Sequence, residues 1–362
     1  MSIRVLHVLD KISVDSGVSA VVMNYYSGLD HERVTFDFML NEEPDPAARA
    51  CIESKGSKIF IMPELRPANT LKYIKALKQF YKTSEHKIIH GHVANSAFLY
   101  LRLAKNIPHR IIHSHNSKSS DKFWKRIRNW ILTRRIKSST NLYFACSKEA
   151  ADFLFRKNTN RIIVNNAVDT DRFLFNQQKR DEIRAELGLS EEMLIGHAGR
   201  FCQQKNQSFL VDVFSEVYRK NKDARLILIG GGELELQIRR KVEKAGLNGV
   251  VFFPGLTNDI AGYMSAMDVF ALPSLFEGLP LTAVEAQASG LPVLLSDRIS
   301  KETNITGEAR FLPLDVRYWA DSILKTTAKD RCDAGKSVKH SRFDIETQVE
   351  RLCKYYEDII KQ

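Results

Sequence analysis

Residues 269–286 read VFALPSLFEGLPLTAVEA. The apolar run from Val269 to Pro273 has the length of a buried strand. A loop follows with Glu277 and Gly278, Pro280 stands where a helix would start, and Glu285 falls early in that helix. Proline suits the first helical position because its missing N–H is not needed there. The amides of Leu281 and Thr282 would then be free to meet an anion. A strand feeding a helix through a short loop is one half of a βαβ unit.

The same alternation runs outward in both directions. Strands are expected at Arg4–Leu9, Thr35–Leu40, Lys58–Met62, Lys87–His92, Arg110–His115, Leu142–Cys146 and Arg161–Asn165. Further runs follow at Leu194–Ala198, Ala224–Gly230, Val250–Pro254, Val269–Pro273, Pro292–Ser296 and Arg310–Pro313. Apolar runs alternating with helical patterns predict parallel sheets covered on both faces. The reading is an α/β protein of two doubly wound, Rossmann-like domains facing a central cleft, over 1–170 and 171–343. A polar connector is expected near Ala167–Leu189. Residues 344–362 carry Val349, Leu352, Cys353, Tyr356, Ile359 and Ile360 at three- and four-residue spacing, a helix expected to pack back on the first domain.

A chain of 362 residues is too long for one small module, and 44% hydrophobic with 27% charged residues excludes disorder, collagen and coiled coil. No apolar run of spanning length occurs and the first residues lack a signal-peptide pattern, so a cytoplasmic protein is expected, at most peripheral on the inner membrane face. Five cysteines without a CxxC pair argue against disulfides or a cysteine zinc site. Charge divides unevenly: residues 1–170 hold 27 Lys+Arg against 15 Asp+Glu, and the remainder 27 against 28, giving +12 and −1 of the total +11. A basic half suggests an anionic surface or ligand.

Ligands of open parallel sheets bind beyond the carboxyl ends of the strands. After Ala198 comes Gly199-Arg200-Phe201-Cys202-Gln203-Gln204-Lys205-Asn206, then a helix from about Gln207. Arg200 and Lys205 can converge on a diphosphate, a planar fork beside a point charge, or can simply be solvated loop cations. Glu277 suits sugar hydroxyls and Glu285 a ribose. The bland alternatives are a surface carboxylate and a first-turn carboxylate favoured by the helix dipole. Gly230-Gly231-Gly232 lacks the GxGxxG spacing of a nicotinamide site. Asp169-Thr170-Asp171 looks like a metal-binding DxD but lies at the connector. His90 and His92 end a strand with no carboxylate or cysteine at ligand spacing, so no metal is expected there. Residues 122–137, KFWKRIRNWILTRRIK, hold seven cations and no acid. They make either a core-facing helix with a solvated basic side, or an interfacial helix with Trp124 and Trp130 in the membrane interface and Arg126, Arg128, Arg134 and Arg135 among anionic headgroups. No nucleic-acid module is recognisable.

Taken together, these residues resemble the retaining, nucleotide-sugar-dependent glycosyltransferases of family 4, with the two-Rossmann GT-B architecture. The resemblance rests on the strand Arg4–Leu9 with the Ser16-Gly17-Val18 loop, Ile111-Ile112-His113-Ser114-His115-Asn116, Phe144-Ala145-Cys146-Ser147 and Asn165-Asn166-Ala167-Val168-Asp169. Gly199-Arg200 with Lys205-Asn206, and the pair Glu277 and Glu285 eight residues apart, are its most specific parts. Tyr25-Tyr26 through Phe36-Asp37-Phe38 is most similar to the bacterial exopolysaccharide and capsule branch. Ser16-Gly17 stands where the family usually has Gly-Gly. The resemblance implies Arg200 and Lys205 on the donor diphosphate, Glu285 on the ribose, and Glu277 with the Gly278-Leu279-Pro280 backbone on the transferred sugar. It also implies Gly17 and the Leu281 and Thr282 amides on the donor side, and His115 beside the anomeric carbon, with His113 as the alternative. The implied reaction moves a hexose or N-acetylhexosamine from a UDP-sugar to a lipid-linked or glycan acceptor, with no cofactor or metal and no nucleic acid. A nucleotide-sugar epimerase of the same architecture and a non-catalytic basic protein of the membrane surface are the competing readings.

Overall fold

The computed structural model describes residues 2–13, 16–115, 136–155, 159–277, 279–326, 331, 338–339 and 341–361. The chain forms two compact units, Met1–Ala167 with Ile345–Gln362, and Val168–Asp344. In the first, the strands are β1 (Ile3–Val8), β2 (Val34–Leu40), β3 (Ile59–Ile61), β4 (Ile88–Gly91), β5 (His109–Ser114), β6 (Leu142–Ala145) and β7 (Arg161–Ile163). They pair in the order β3-β2-β1-β4-β5-β6-β7, all parallel. In the second, β8 (Met193–Ala198), β9 (Ala224–Ile229), β10 (Val251–Gly255), β11 (Val269–Leu272), β12 (Val293–Ser296) and β13 (Arg310–Leu312) pair as β10-β9-β8-β11-β12-β13, again parallel.

Each described strand falls within a residue or two of an expected apolar run. Every residue of β2, β4, β11 and β12 is buried. Strands covered on both faces cannot alternate polar with apolar residues, which is why they were readable as continuous runs. In each sheet the strand order reverses once, between β1 and β4 and between β8 and β11. At such a point the flanking connections leave in opposite directions and open a crevice at the carboxyl ends.

The connector is corrected by the structure. The division falls after Ala167 rather than after residue 170: the Val168 amide donates to the Phe343 carbonyl, and Val168 bridges to Asp344. The polar stretch beyond it folds as a helix, Gln177–Glu186, within the second unit. Ile183 and Arg184 are buried there. The Arg180 guanidinium donates to the carbonyls of Ser265, Ala266 and Met267 at 2.9–3.1 Å and to Asp268 at 2.7 Å. Arg184 reaches the carbonyls of Ser190, Glu192 and Ala266. Arg331 adds bonds to Met264, Ser265, Met267 and Ser289, and burial, with Arg180 nearby, lowers its pKa to about 9. Three guanidinium groups thus satisfy the carbonyl end of the helix Ile260–Ala266, which has no partners within its own helix. Polar composition concealed the helix because its arginines bury their stems and spend their donors on backbone.

The C-terminal helix Ile345–Lys361 belongs to the first unit. It packs on the helix Gly17–Ser27; at Gly28 a Cβ would lie 3.2 Å from Val349 Cγ2. Its Tyr356 is fully buried, and Arg33 pairs with its Glu350 and Glu357 at 2.7 and 2.9 Å. No helix among the described residues is long and apolar enough to cross a membrane.

Candidate active site

In the second unit, the loop after β8 and the loop after β11 are stitched together at the reversal point. The Leu275 amide donates to the Gln204 carbonyl at 2.8 Å, Gln204 Nε2 to the Phe276 carbonyl at 3.0 Å, and Asn206 Nδ2 to the Pro273 carbonyl at 3.2 Å. Asn206 has φ +56°, alone among described non-glycine residues in the left-handed region. Asparagine tolerates that region better than most residues, and the turn it makes separates Lys205 from the helix Gln207–Lys220. Gln207 Nε2 donates to the Arg200 carbonyl at 2.9 Å. The glycines 230–232 explain the remaining geometry: a Cβ at Gly230 would collide with the Gly199 carbonyl, and one at Gly232 with Phe201. Their role is to let the loop after β9 lie directly against the Arg200 loop.

This framework brings Lys205 and Glu277 together, Nζ to Oε1 at 2.7 Å, with the side chains only 17% and 11% exposed. Arg200 instead faces Glu233 at 3.1 Å, and both are more than half exposed. An exposed pair of that kind contributes about 1 kcal/mol or less, so Arg200 is free to turn to a ligand. Glu285 lies in the helix Leu281–Ala288. Burial raises its pKa to about 7 against the opposing fields of Arg172 and Lys205.

Pro280 is the cap of that helix rather than its first residue: its backbone is extended (φ −71°, ψ 117°), and its carbonyl accepts from the Ala283 and Val284 amides. No side chain caps the helix, so the Leu281 and Thr282 N–H groups lie at an uncapped positive dipole end. Leu279 precedes them, buried; Gly278 lies outside the described residues. Several buried polar atoms on this edge have no hydrogen bond: Ser274 Oγ, Thr282 Oγ1, Gln207 Oε1 and His197 Nε2. Buried polar groups are nearly always satisfied, so such a group at a sheet's carboxyl edge calls for a ligand. His197, Ser274 and Gln207 were not singled out from sequence. Their signal was position alone, His197 and Ser274 at or just past a strand end and Gln207 at the start of the helix that follows β8. Burial lowers the His197 pKa to about 4, the Ala271 carbonyl opposing and Lys205 adding to the shift.

His115 and His113 lie in the first unit. His113 is in β5 and His115 follows it; His7 is in β1, His90 in β4, and His92 follows β4. Parallel pairing sets His7 beside His90 and His90 beside Ile111, and the strand period of two puts all five rings on one face. Ring nitrogens lie 3.0 Å apart for His7 Nδ1 and His92 Nε2, 2.8 Å for His92 Nδ1 and His115 Nε2, and 3.1 Å for His90 Nε2 and His113 Nδ1. The Tyr356 hydroxyl is 2.6 Å from His90 Nδ1 and 3.5 Å from His7 Nε2. Burial holds every ring below the usual histidine range, His115 at about 4 and His7 at about 3. Gly17 opens the helix Gly17–Ser27, whose cap Ser16 accepts from the Ser19 amide at 3.3 Å. A Cβ at Gly17 would meet nothing within 4 Å.

Asp169 accepts from the Arg172 amide and Asp171 pairs with Lys339 at 2.7 Å, so the DxD carboxylates are engaged in the fold of the second unit. Trp124, Arg126, Arg128, Trp130, Arg134 and Arg135, and Asn116 after His115, lie outside the described residues.

Two parallel sheets, each with polar groups gathered at its reversal point, define a two-Rossmann protein of the GT-B type. The family described as Glycosyltransferase Family 4 matches residues 16–172, and that described as Glycosyl transferases group 1 matches residues 192–329. The putative glycosyltransferase EpsF of Bacillus subtilis is 33% identical over 344 residues, 91% of this chain and 88% of that protein. The Escherichia coli UDP-Gal:alpha-D-GlcNAc-diphosphoundecaprenol alpha-1,3-galactosyltransferase is 27% identical over 390 residues, covering 99% and 97%. Anabaena HepE, solved with UDP-glucose, superposes with a TM-score of 0.81 at 18% identity, covering 98% and 99%. The chain belongs to the glycosyltransferases that these two family descriptions cover.

Proposed function

We propose that this glycosyltransferase moves a hexose or N-acetylhexosamine from a UDP-sugar to a lipid-linked or glycan acceptor, with retention of anomeric configuration, in exopolysaccharide or capsule assembly. The observation that carries the reading is the largely buried Lys205–Glu277 pair on the edge that holds the uncapped helix Leu281–Ala288. A cation, a carboxylate and free amides on one edge are the complement of a sugar diphosphate. UDP-glucose in the HepE structure and the UDP-Gal and diphosphoundecaprenol-linked substrates in the name of the E. coli relative support the donor and acceptor classes.

In this reading Lys205 and Arg200 take the diphosphate together with the Leu281 and Thr282 amides. Glu285 accepts from the ribose hydroxyls. Glu277, with the backbone of residues 278–280, holds the transferred sugar, and His115 is assigned to the anomeric carbon. The diphosphate leaves as negative charge grows on its bridging oxygen, and fixed cations and amides aimed at that charge lower the barrier electrostatically. Neutralisation is assigned to these groups, with no metal. The basic segment 122–137 is assigned to an anionic membrane surface, near a lipid-linked acceptor.

The test is a thermal-shift panel of UDP-, GDP- and dTDP-sugars in EDTA, followed by transfer to a lipid-diphosphate-linked sugar with the product anomer read by NMR. A ligand at one hundred times its Kd should add about 2.7 kcal/mol of stability. Stabilisation confined to UDP-sugars and an unchanged anomer are expected. Preference for another nucleotide, or an inverted product, overturns the proposal.

A further inference from the structure

Chain spacing alone gave His90 and His92 no further ligand, but strand pairing brings His92 two. Beside β4, β5 contributes His113 and the following His115, and one ring nitrogen from each of His92, His113 and His115 lies within 4.8 Å of the other two. We propose that these three imidazoles form a binding site for a late first-row divalent metal ion such as Zn²⁺ or Co²⁺, with a fourth position open to an exogenous ligand.

The chemistry of the donors selects the ion. Three neutral nitrogens with no carboxylate suit Zn²⁺, Co²⁺, Ni²⁺ or Cu²⁺ and offer nothing to Mg²⁺ or Ca²⁺. The hydrogen bonds around the rings select the ligating atoms. If His92 binds through Nδ1, its Nε2–H donates to His7 Nδ1, and His7 Nε2–H to the Tyr356 hydroxyl. If His113 binds through Nε2, its Nδ1–H donates to His90 Nε2, and His90 Nδ1–H reaches the same hydroxyl. Both outer chains therefore end on one acceptor, and each ligand ring keeps a donor pointed away from the ion. That arrangement fixes the tautomer and orientation of metal-binding histidines.

The free atoms agree with this assignment. His113 is 3% exposed, and its Nε2 has no well-formed hydrogen bond, although the Val164 backbone carbonyl is close enough to favour a proton on that ring, which must move to Nδ1 for Nε2 to bind. His115 Nδ1 is likewise buried without one, although the Asn166 side chain, itself with an unsatisfied Oδ1, is close enough to favour a proton on that ring. His115 then binds through Nε2 with its proton moved to Nδ1, facing Asn166. The 2.8 Å separation of His92 Nδ1 and His115 Nε2 must widen by about 0.5 Å, since tetrahedral Zn–N bonds of about 2.05 Å hold nitrogens roughly 3.3 Å apart. His115 is only partly buried and marks the side from which an ion enters.

The test uses untagged full-length protein titrated with Co²⁺. Expected are a single equivalent bound, with the intense visible bands of a four-coordinate centre, and displacement by Zn²⁺. His92→Asn should weaken binding at least 100-fold. Tyr356→Phe, which removes only the shared acceptor, should weaken it about tenfold, and His109→Gln should leave it unchanged. X-ray absorption of the zinc-loaded wild type needs no variant and should show three imidazole ligands. Two or fewer imidazoles, a six-coordinate Co²⁺ spectrum, or wild-type affinity in folded His92→Asn overturns the proposal.

Discussion

Lys205 and Glu277 neutralise each other in a largely buried pair, so substitution at either leaves a charge without its partner. Glu277→Ala is expected to abolish transfer while UDP affinity, measured calorimetrically, changes by less than about threefold, because the carboxylate is assigned to the sugar. A fall in UDP affinity matching the fall in rate would refute that assignment. Lys205→Ala should weaken UDP about 10- to 100-fold, in line with about 1.5–3 kcal/mol for a charged hydrogen bond. Arg200→Ala should weaken it less, since Arg200 is more exposed, and both variants should bind uridine almost as the wild type does. Equal losses for UDP and uridine would show that neither cation reaches phosphate. Glu285 gives a pH signature. Its pKa in the fold, about 7, lies above its ordinary value of 4.5, so the folded state holds the proton more tightly than the unfolded state. The stability this contributes is complete below pH 4.5 and is lost as pH rises through 7. Ribose hydroxyls donate to the ionised carboxylate, so UDP affinity should rise over the same interval. Isothermal titration between pH 6 and 8 should show the rise in the wild type and not in Glu285→Gln.

At the scale of elements, the helix Gln177–Glu186 was hidden by its own polarity. Arg184 is only 5% exposed yet spends its donors on three carbonyls and Asp268. Arg184→Ala removes that cap and leaves the carbonyl end of the helix Ile260–Ala266 to Arg180 and Arg331 alone. Urea denaturation should register a loss of about 3 kcal/mol, the cost of stranding buried charge and acceptors. A loss below about 1 kcal/mol would mean that the other two arginines suffice. The helix Leu281–Ala288 presents the opposite case. Its start was readable from Pro280 and the end of the preceding strand, and the structure moved the proline back by one position, to the cap.

For the whole molecule, the charge split of +12 against −1 places the excess in the half that carries the segment 122–137. Binding to phosphatidylglycerol vesicles is expected at low salt and should weaken as salt rises, at about 1 kcal/mol per cation near the surface. Reversing Arg126, Arg128, Arg134 and Arg135 should release the protein without altering UDP affinity. Failure of the wild type to sediment with anionic vesicles would return that segment to an ordinary structural role.

What the sequence by itself determined is the pair of parallel sheets and the residues beyond their carboxyl ends, because strands buried on both faces must be apolar throughout, the loops after them carry Arg200, Lys205 and Glu277, and the helix that follows carries Glu285. Which of these meet was decided only in three dimensions. Lys205 finds Glu277 through hydrogen bonds between two loops about seventy residues apart in sequence. The glycines 230–232 matter because they touch the backbone of a neighbouring strand's loop, and nothing in their spacing names that neighbour. The five histidines come from three strands and share one face through register, while Tyr356 reaches them from a helix more than two hundred residues further along. Periodicity reports which face of an element is buried; contacts between elements distant in the chain leave no mark on either segment's own pattern, so only the folded sheet order reveals them.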